Sequence, residues 1–156
     1  MINKIIELLE EVATAYTYVQ GFSYASPYEM NGAPSMKFPH ILVADTPDWS
    51  NKGEYRGNGL GNKTTWDLRV FLFDTYNQAE RTTVGRATKQ QELKTAMDRY
   101  LAEFKYRALN ELGYNVELSN GFVAKRQMNG KLEQCSANLR VTGNNTCDLG
   151  TFEYAG

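Results

Sequence analysis

The run from Arg86 to Gly113 is the longest periodic segment of this chain, and it limits the folds that the chain can adopt. Its apolar side chains recur at intervals of three and four residues, the spacing that places side chains on one face of an α-helix. They are Leu93, Met97, Tyr100, Phe104 and Ala108, flanked by Leu101 and Leu112. Thr88 and Gln91 predict a capping box, and Gly113 predicts a left-handed C-terminal stop. We therefore predict a helix of about 24 residues, roughly 36 Å long, with one buried face.

A second amphipathic helix is predicted at the N-terminus. Apolar residues again repeat at intervals of three and four, whereas the charged residues fall between them. The apolar positions are Ile2, Ile5, Ile6, Leu9, Val12, Ala13 and Tyr16. We expect this helix to end near Gly21.

The segment that follows is rich in aromatic residues and poor in charge. Between Val12 and Met36 the only charged residue is Glu29. Its aromatic residues are Tyr16, Tyr18, Phe22, Tyr24 and Tyr28. Protein–protein interfaces favour such a composition, but a loop folded back on its own core would have it too. Both interpretations stay open at the level of the sequence.

Two strands are predicted before the long helix. Phe38–Asp45 is short, apolar and entered through Pro39, and Thr64–Tyr76 is the strongest strand pattern in the chain. In the second strand, Phe71 and Phe73 on the otherwise polar face predict burial on both faces of its second half. The residues between the strands, 46–63, contain several glycines and are expected to form a long flexible loop.

After the long helix, the pattern changes to alternating β-strands. Asn120-Gly121 and Asn129-Gly130 favour type I′ turns and predict a meander of three strands: Tyr114–Ser119, Phe122–Met128 and Lys131–Thr142. The tail, 143–156, has the pattern of one more short strand at Thr151–Tyr154. The fold class that follows is α+β, with a mainly antiparallel sheet of four to six strands and two helices packed on it.

Length and composition indicate one domain, residues 1–156, of an ordinary soluble kind. The formal net charge of −1 gives no signal for binding nucleic acid or an anionic membrane. The acidic N-terminus does not resemble a signal peptide, and no apolar run approaches the roughly 18 residues of a membrane span. The two cysteines match no metal-binding or disulfide pattern.

Candidate catalytic patterns are weak. Residues 57–64 nearly fit a phosphate-binding loop, but Asn62 stands where the motif has glycine, and a strand follows instead of a helix. His40 is the only histidine, and its place at a strand start favours a structural role. Asp45, Asp67 and Asp74, on or near strands, invite comparison with a metal-dependent nuclease. Glu92 with Lys94 has the spacing of the companion acid–lysine pair but lies on the predicted helix instead of an adjacent strand. We therefore expect no enzyme activity, no cofactor and no metal.

The outer face of the long helix offers a second candidate interface. Ala102, Tyr106 and Leu109 interrupt its charged residues with an apolar patch. Together with the tyrosine-rich segment, this patch gives the chain two unlike apolar surfaces. With no catalytic constellation, such charge-poor aromatic surfaces suit a subunit of an assembly.

The order of elements resembles that of the tail-terminator or tail-completion proteins of tailed bacteriophages and of related neck-ring components. Phe38–Asp45, Thr64–Tyr76 and Arg86–Gly113 carry the resemblance, which covers residues 1–142. The segments 46–63 and 143–156 have no place in the minimal pattern of that family.

The resemblance implies a structural virion protein of the tail or neck. It would form a ring that closes the tail tube and joins it to the head, with other tail and neck proteins as neighbours. DNA would be a non-specific cargo in the lumen, and no membrane would be involved. The alternatives are a small metal-dependent nuclease-like enzyme and a monomeric protein-binding module.

Overall fold

The computed structural model of the chain describes residues 2–26, 36–52, 63–75, 82–127, 132–144 and 155. Two helices and six strands follow one another in these segments. In chain order they are α1 (Ile2–Ala15), β1 (Gly21–Ala25), β2 (His40–Ala44), β3 (Asp48–Lys52), β4 (Lys63–Thr75), α2 (Thr83–Arg107) with a π-helical turn (Ala108–Leu112), β5 (Asn115–Gln127) and β6 (Leu132–Asn144). The predicted α+β class is confirmed.

The strands form one sheet in the order β1-β2-β4-β6-β5, and β3 pairs with the first half of β4. Only β1 and β2 are parallel, so the sheet is mainly antiparallel, as predicted. The central pair is β4 with β6, which stay in register over the full 13 residues of each strand, from Lys63 opposite Asn144 to Thr75 opposite Leu132.

Both helices pack on the same face of the sheet. The buried residues of α2 include Leu93, Met97, Tyr100 and Phe104, which confirms the apolar stripe. They meet the inward side chains of α1 and of the central strands in one core. The buried Tyr100 hydroxyl donates a 2.7 Å hydrogen bond to the Leu9 carbonyl and thereby ties α2 to α1.

The opposite face of the sheet carries a smaller apolar cluster. Leu42 and Ala44 of β2, Phe71 and Phe73 of β4, and Leu132 of β6 are buried there, with Met36 and Phe38 packed against them. The second half of β4 is therefore buried on both faces, as its sequence predicts.

Of the two predicted ends of α2, only the C-terminal one is confirmed. Gly113 has the left-handed conformation expected of the stop, with φ of 70°. The capping box at Thr88 and Gln91 is wrong, because the helix begins earlier and the Thr82 side chain accepts the capping hydrogen bond from the Gly85 N–H. Thr88 instead donates to the Val84 carbonyl inside the helix. Thr82 is thus the N-cap residue, and the threonine six positions later lies inside the helix.

Two predicted loops and turns are also corrected. The prediction of a loop over 46–63 is wrong for its first part, which forms β3 and pairs with β4 from Asp48 to Lys52. Asn120-Gly121 does not turn the chain, because β5 continues through it with irregular register between Leu118 and Val123. Residues along β6 need backbone partners on this side, and a continuous β5 supplies them. The N-terminal helix ends at Ala15 rather than near Gly21.

Three further predictions fall outside the described residues. They are the Asn129-Gly130 turn, the glycine-containing part of the 46–63 segment, and the short strand at Thr151–Tyr154. The strands on either side of Asn129-Gly130, β5 and β6, are antiparallel neighbours. Of the predicted 143–156 tail, the first two residues belong to β6.

Candidate functional site

The tyrosine-rich segment divides into residues that pack on the core and one that does not. Tyr16, Tyr18 and Phe22 are partly buried against the main core, and the rings of Tyr16 and Tyr18 lie 5.9 Å apart. Tyr24 is 41% exposed. Tyr28 lies outside the described residues. The core-packing interpretation therefore holds for the first three side chains, whereas Tyr24 is available at the surface.

Tyr24 lies on β1, which is the outer strand of the described sheet on that side. This strand is absent from the sequence prediction, because Gly21–Ala25 is short and its glycine, serine and alanine have little strand propensity. None of its five residues is charged. Edge strands present unpaired backbone groups and are usually protected by charge or proline. An uncharged edge with an exposed tyrosine is suited to contact with another chain.

The predicted patch on the outer face of α2 is exposed as a whole. Ala102 is exposed, the Tyr106 side chain is 65% accessible, and Leu109 is 58% accessible. Lys105 is exposed on the same face, since residues 102, 105, 106 and 109 follow the i, i+3, i+4, i+7 spacing. We call Ala102, Lys105, Tyr106 and Leu109 the α2 stripe.

The exposed tyrosine of β1 and the end of the α2 stripe lie at opposite sides of the molecule. β1 and β5 are the outermost strands of the five-strand path, and four strand spacings amount to about 19 Å. Leu109 lies beside β5, where it lines a cavity of about 430 Å³ together with Asn115 and Glu117. The two candidate interfaces predicted from the sequence, represented by Tyr24 and Leu109, therefore lie at opposite edges of the sheet.

The structure also contains a groove that does not follow from the sequence pattern. Tyr16 and Tyr18 form one wall, and the first half of α2 forms the other, around a volume of about 760 Å³. Much of its lining is apolar, from the tyrosine rings to Val84, which is 76% exposed. We call it the tyrosine groove. The only sequence signal for it is the pair Val84 and Ala87, three residues apart on the helix, which is too short a pattern to stand out.

A buried ion pair lies beneath the tyrosine groove. The Lys89 ammonium group is 2.9 Å from Asp74 Oδ2 and 3.4 Å from Glu92 Oε2, and the Lys89 and Asp74 side chains are almost inaccessible. The Tyr18 hydroxyl lies 3.5 Å from the same Asp74 oxygen. Burial and the Asp74 carboxylate raise the pKa of the Tyr18 hydroxyl, so it stays protonated and serves as a donor. The ion pair joins β4 to α2, and Tyr18 adds the turn that follows α1.

A third carboxylate adjoins this pair. Glu133 lies directly opposite Asp74 in the β4–β6 register, and its residue is fully buried. Gln90 donates to its Oε1 over 3.4 Å, whereas its Oε2 has no hydrogen-bond partner. Asp74 and Glu92 thus share the Lys89 ammonium group, and Glu133 lies beside Asp74 on the neighbouring strand with Gln90 as its donor.

The nuclease alternative is weakened by the position of its carboxylates. Asp74 faces the helices and binds Lys89, whereas Asp67 lies on the other face of β4 and accepts a 3.0 Å hydrogen bond from Arg140. Seven residues along a strand correspond to about 23 Å. The two side chains therefore do not converge on one metal ion. Within the described segments, no group of three or more His, Cys, Asp or Glu residues is arranged to hold a metal.

His40 has a well-defined local environment. Its Nδ1 is 3.2 Å from the Lys37 carbonyl, and its Nε2 is 2.7 Å from Ser23 Oγ. This arrangement fits a neutral ring in which Nδ1–H donates to the carbonyl and Nε2 accepts from the serine hydroxyl. Burial lowers the pKa of His40, although the Lys37 carbonyl opposes the shift. A Cβ added to Gly21 would lie 2.5 Å from Nδ1, so glycine permits this packing. The histidine connects β1 to β2.

Trp49 and Trp66 form an aromatic pair across β3 and β4 that the sequence does not predict. Trp49 of β3 is 60% exposed and faces Trp66 of β4, with ring centroids 6.2 Å apart. The two residues are direct partners in the register. The polar composition of β3 concealed this cross-strand pair in the sequence.

Most of the candidate phosphate-binding loop lies outside the described residues. Its last two residues, Lys63 and Thr64, open β4, so a strand follows the glycines as expected. A phosphate-binding loop would require a helix at this point.

Comparison with known proteins assigns no family. No protein-family model matches the chain, and no curated protein matches its sequence. None of the helices in the described part of the chain is long and apolar enough to cross a membrane.

Proposed function

We propose that this chain is a ring-forming structural protein of a tailed bacteriophage, a tail terminator or neck component that joins tail to head. The observation that carries the proposal is the pair of unlike exposed surfaces at opposite sides of the sheet. Tyr24 lies on the uncharged edge strand β1, and Tyr106 and Leu109 lie on the outer face of α2 and its π-helical turn.

Such a pair suits a head-to-tail contact. In a heterologous interface, one patch of each subunit meets a different patch of the next, and the contact closes into a ring when the rotation permits. Exposed tyrosines are frequent anchors in interfaces. The surfaces are separated by about the width of the sheet, so one neighbour can bind at each side.

The order of elements also supports the proposal. The short proline-led strand, the strong strand and the long helix that carry the family resemblance are present as β2, β4 and α2, and the N-terminal helix of the same order is present as α1. β1 and β3 are additions to that order. The resemblance is one of architecture, and it brings with it the location in the virion, assembly with other tail and neck proteins, and a lumen through which DNA passes.

The charge of the chain suits a conduit. A net charge of −1 provides little non-specific attraction for phosphates. DNA would therefore pass the ring as cargo without being held by it.

Sedimentation of the purified chain tests the proposal. The chain is measured alone and mixed with the tail-tube and connector proteins of its own phage. We expect a discrete cyclic oligomer in at least one of these samples. A chain that sediments as a monomer in all of them, without joining any component, would contradict the proposal and favour the binding-module alternative.

A further inference from the structure

We propose that β1 of one copy pairs with the outer edge of β5 in the next copy, so that the sheet continues from subunit to subunit. This inference rests on the proposed ring and names the backbone contact that builds it. In the antiparallel pair, Tyr24 of β1 would lie opposite Val116 of β5, and Phe22 would lie opposite Leu118.

The strand directions determine the kind of pair. β1 and β2 are parallel, whereas each later step along the sheet, from β2 to β4, β6 and β5, is antiparallel. β5 therefore runs opposite to β1. Rotation about an axis roughly parallel to the strands keeps both the strand direction and the face of the sheet. The β1 strand of the next copy then meets β5 as an antiparallel neighbour, which is the slightly more stable kind of pair.

The outward backbone groups of β1 belong to Phe22 and Tyr24. The Asp45 N–H donates a 3.2 Å hydrogen bond to the Ala25 carbonyl, so the backbone groups of Ala25 point to β2. Successive strand residues direct their N–H and C=O groups alternately to the two sides. Ser23 therefore also bonds toward β2, whereas Phe22 and Tyr24 point outward. On that side, no strand of the described residues pairs with β1.

The same alternation, followed across the sheet, directs the backbone groups of Val116 and Leu118 outward at the opposite edge. The bond of Asp45 turns the odd-numbered residues of β2 toward β1 and its even-numbered residues toward β4. The continuous registers then turn the even-numbered residues of β4 toward β6, and the even-numbered residues of β6 toward β5. Arg140 thus bonds toward its partner Glu117. The residues on either side of Glu117 point away from β6, and within the described segments no strand pairs with them there.

The outward-pointing residues of both edges lie on the same face of the sheet. Val116 belongs to the main core and Phe22 packs against it, so both side chains are on the face that carries the helices. Side chains two residues apart share a face, which places Leu118 and Tyr24 there as well. Directly opposite side chains also share a face. Tyr24 opposite Val116 therefore satisfies the backbone and the side chains together, whereas a shift by one residue satisfies neither.

The pairing covers exposed apolar side chains from both edges. Tyr24 is 41% exposed and Leu118 is 51% exposed. Leu109 is 58% exposed and lies beside β5 at the same edge. A pair of two β1 strands would leave both leucines exposed, whereas β1 against β5 covers them. This difference selects β5 of a second copy as the partner.

Cysteine cross-linking tests the register. In a Cys147→Ser background, Ala25→Cys chains are mixed with Asn115→Cys chains and oxidised mildly. The two positions would be directly opposite, with Cα atoms about 4.5 Å apart, because the backbone groups of both bond inside their own subunits. That separation suits a disulfide. Cys135 is buried and its pKa is raised to about 11 by that burial, so its thiol should stay unreactive.

The matched control shifts one cysteine by two residues. Glu117 is exposed like Asn115 and lies on the same face, but it would be about 7–8 Å from Ala25 along the diagonal. Mixed dimers of Ala25→Cys with Asn115→Cys should clearly exceed those of Ala25→Cys with Glu117→Cys.

A proline variant tests the backbone bond itself. Leu118→Pro and Leu118→Ala both remove the leucine side chain, but only proline removes the outward N–H. Leu118→Pro should associate about fivefold more weakly than Leu118→Ala, the effect of one hydrogen bond of typical net strength. The two variants should melt at similar temperatures. Glu117→Pro, which removes an N–H that bonds toward β6, should lower the melting temperature strongly.

The outcomes separate this inference from the ring itself. Equal cross-linking in the two mixtures, an excess of Ala25→Cys homodimers, or equal association of Leu118→Pro and Leu118→Ala would overturn the β1–β5 contact. If a cyclic oligomer still formed in those samples, the ring would stand with a different interface. If the wild-type chain associated with no copy and no tail component, both proposals would fail.

Discussion

His40 ties the outer strand β1 to β2 through a hydrogen bond from Ser23 that requires a neutral imidazole ring. The neutral ring accepts from Ser23 and donates to Lys37, and burial lowers its pKa in the folded state. In the unfolded chain the imidazole titrates near its ordinary value of about 6.5. As the pH falls below that value, the unfolded state takes up a proton that the folded state does not, so stability is lost on acidification.

Replacement of His40 by glutamine tests this linkage. The free energy of unfolding of the wild type should fall between pH 7 and pH 5 by more than that of His40→Gln, because the variant lacks the titrating group. Carboxylates titrate in both proteins and cancel in the difference. Parallel pH profiles from chemical denaturation would contradict the assigned state of the ring.

Lys89 is the second residue with a large expected effect. It compensates the buried Asp74 carboxylate at 2.9 Å, and removal of one partner of a buried pair typically costs about 3–5 kcal/mol. Lys89→Met should therefore destabilise the fold strongly, whereas the double variant Lys89→Met/Asp74→Leu should regain much of the loss. Lys94→Met, which removes the exposed pair of Lys94 with Asp98, should cost about 0.3–0.5 kcal/mol.

Denaturant titration measures these three variants against the wild type. A loss for Lys89→Met no greater than that for Lys94→Met would show that the buried pair is not a structural requirement.

The helix α2 is the element on which the fold depends most. Leu101 and Phe104 are buried on its inner face, whereas Ala102 points outward. Leu101→Asp or Phe104→Asp would bury an unpaired charge, at a cost of several kcal/mol, and should unfold the domain. Ala102→Asp should melt cooperatively near the wild-type temperature in calorimetry. Cooperative melting of both buried-site variants at that temperature would contradict the core assignment.

The elements with long apolar periods were predictable from the sequence, and those defined by pairing were not. The stripe of α2 and the double-sided burial of β4 follow from side-chain spacing alone. β1 and β3 lack such a pattern, because Gly21–Ala25 and Asp48–Lys52 become strands through their partners β2 and β4. Asn120-Gly121 has a strong turn signal, but β6 pairs along nearly its whole length with β5 and the strand continues.

Of the candidate site, the exposed patch on one helix was predictable from the sequence, whereas the features formed by distant segments were not. Tyr106 and Leu109 were found as a break in a charged face, and the structure exposes both. The tyrosine groove was missed because its walls come from Tyr16, Tyr18 and the distant α2. The ion pair of Asp74 and Lys89 was missed because no local spacing relates a strand residue to a helix residue 15 positions later.

At the scale of the whole molecule, assembly should depend on the exposed tyrosines and the fold should not. Tyr24→Ala and Tyr106→Ala each remove a surface anchor, and truncation of such anchors typically costs about 2 kcal/mol or more of binding. Each variant should keep the wild-type melting temperature and lose association in sedimentation. Trp49→Ala, an exposed aromatic residue outside both surfaces, should associate normally. Equal association of all three variants with the wild type would contradict the two-surface arrangement.

The place of the chain in an assembled phage particle tests the ring most directly. Electron cryomicroscopy of the particle, with the chain identified by its fold or by a tag, should show a closed ring of copies around the tail axis at the end of the tail that joins the head. The edge strand with Tyr24 of each copy should face the exposed Tyr106 and Leu109 of the next, and DNA should pass through the opening. Single copies away from the axis, or particles that lack the chain altogether, would contradict the ring.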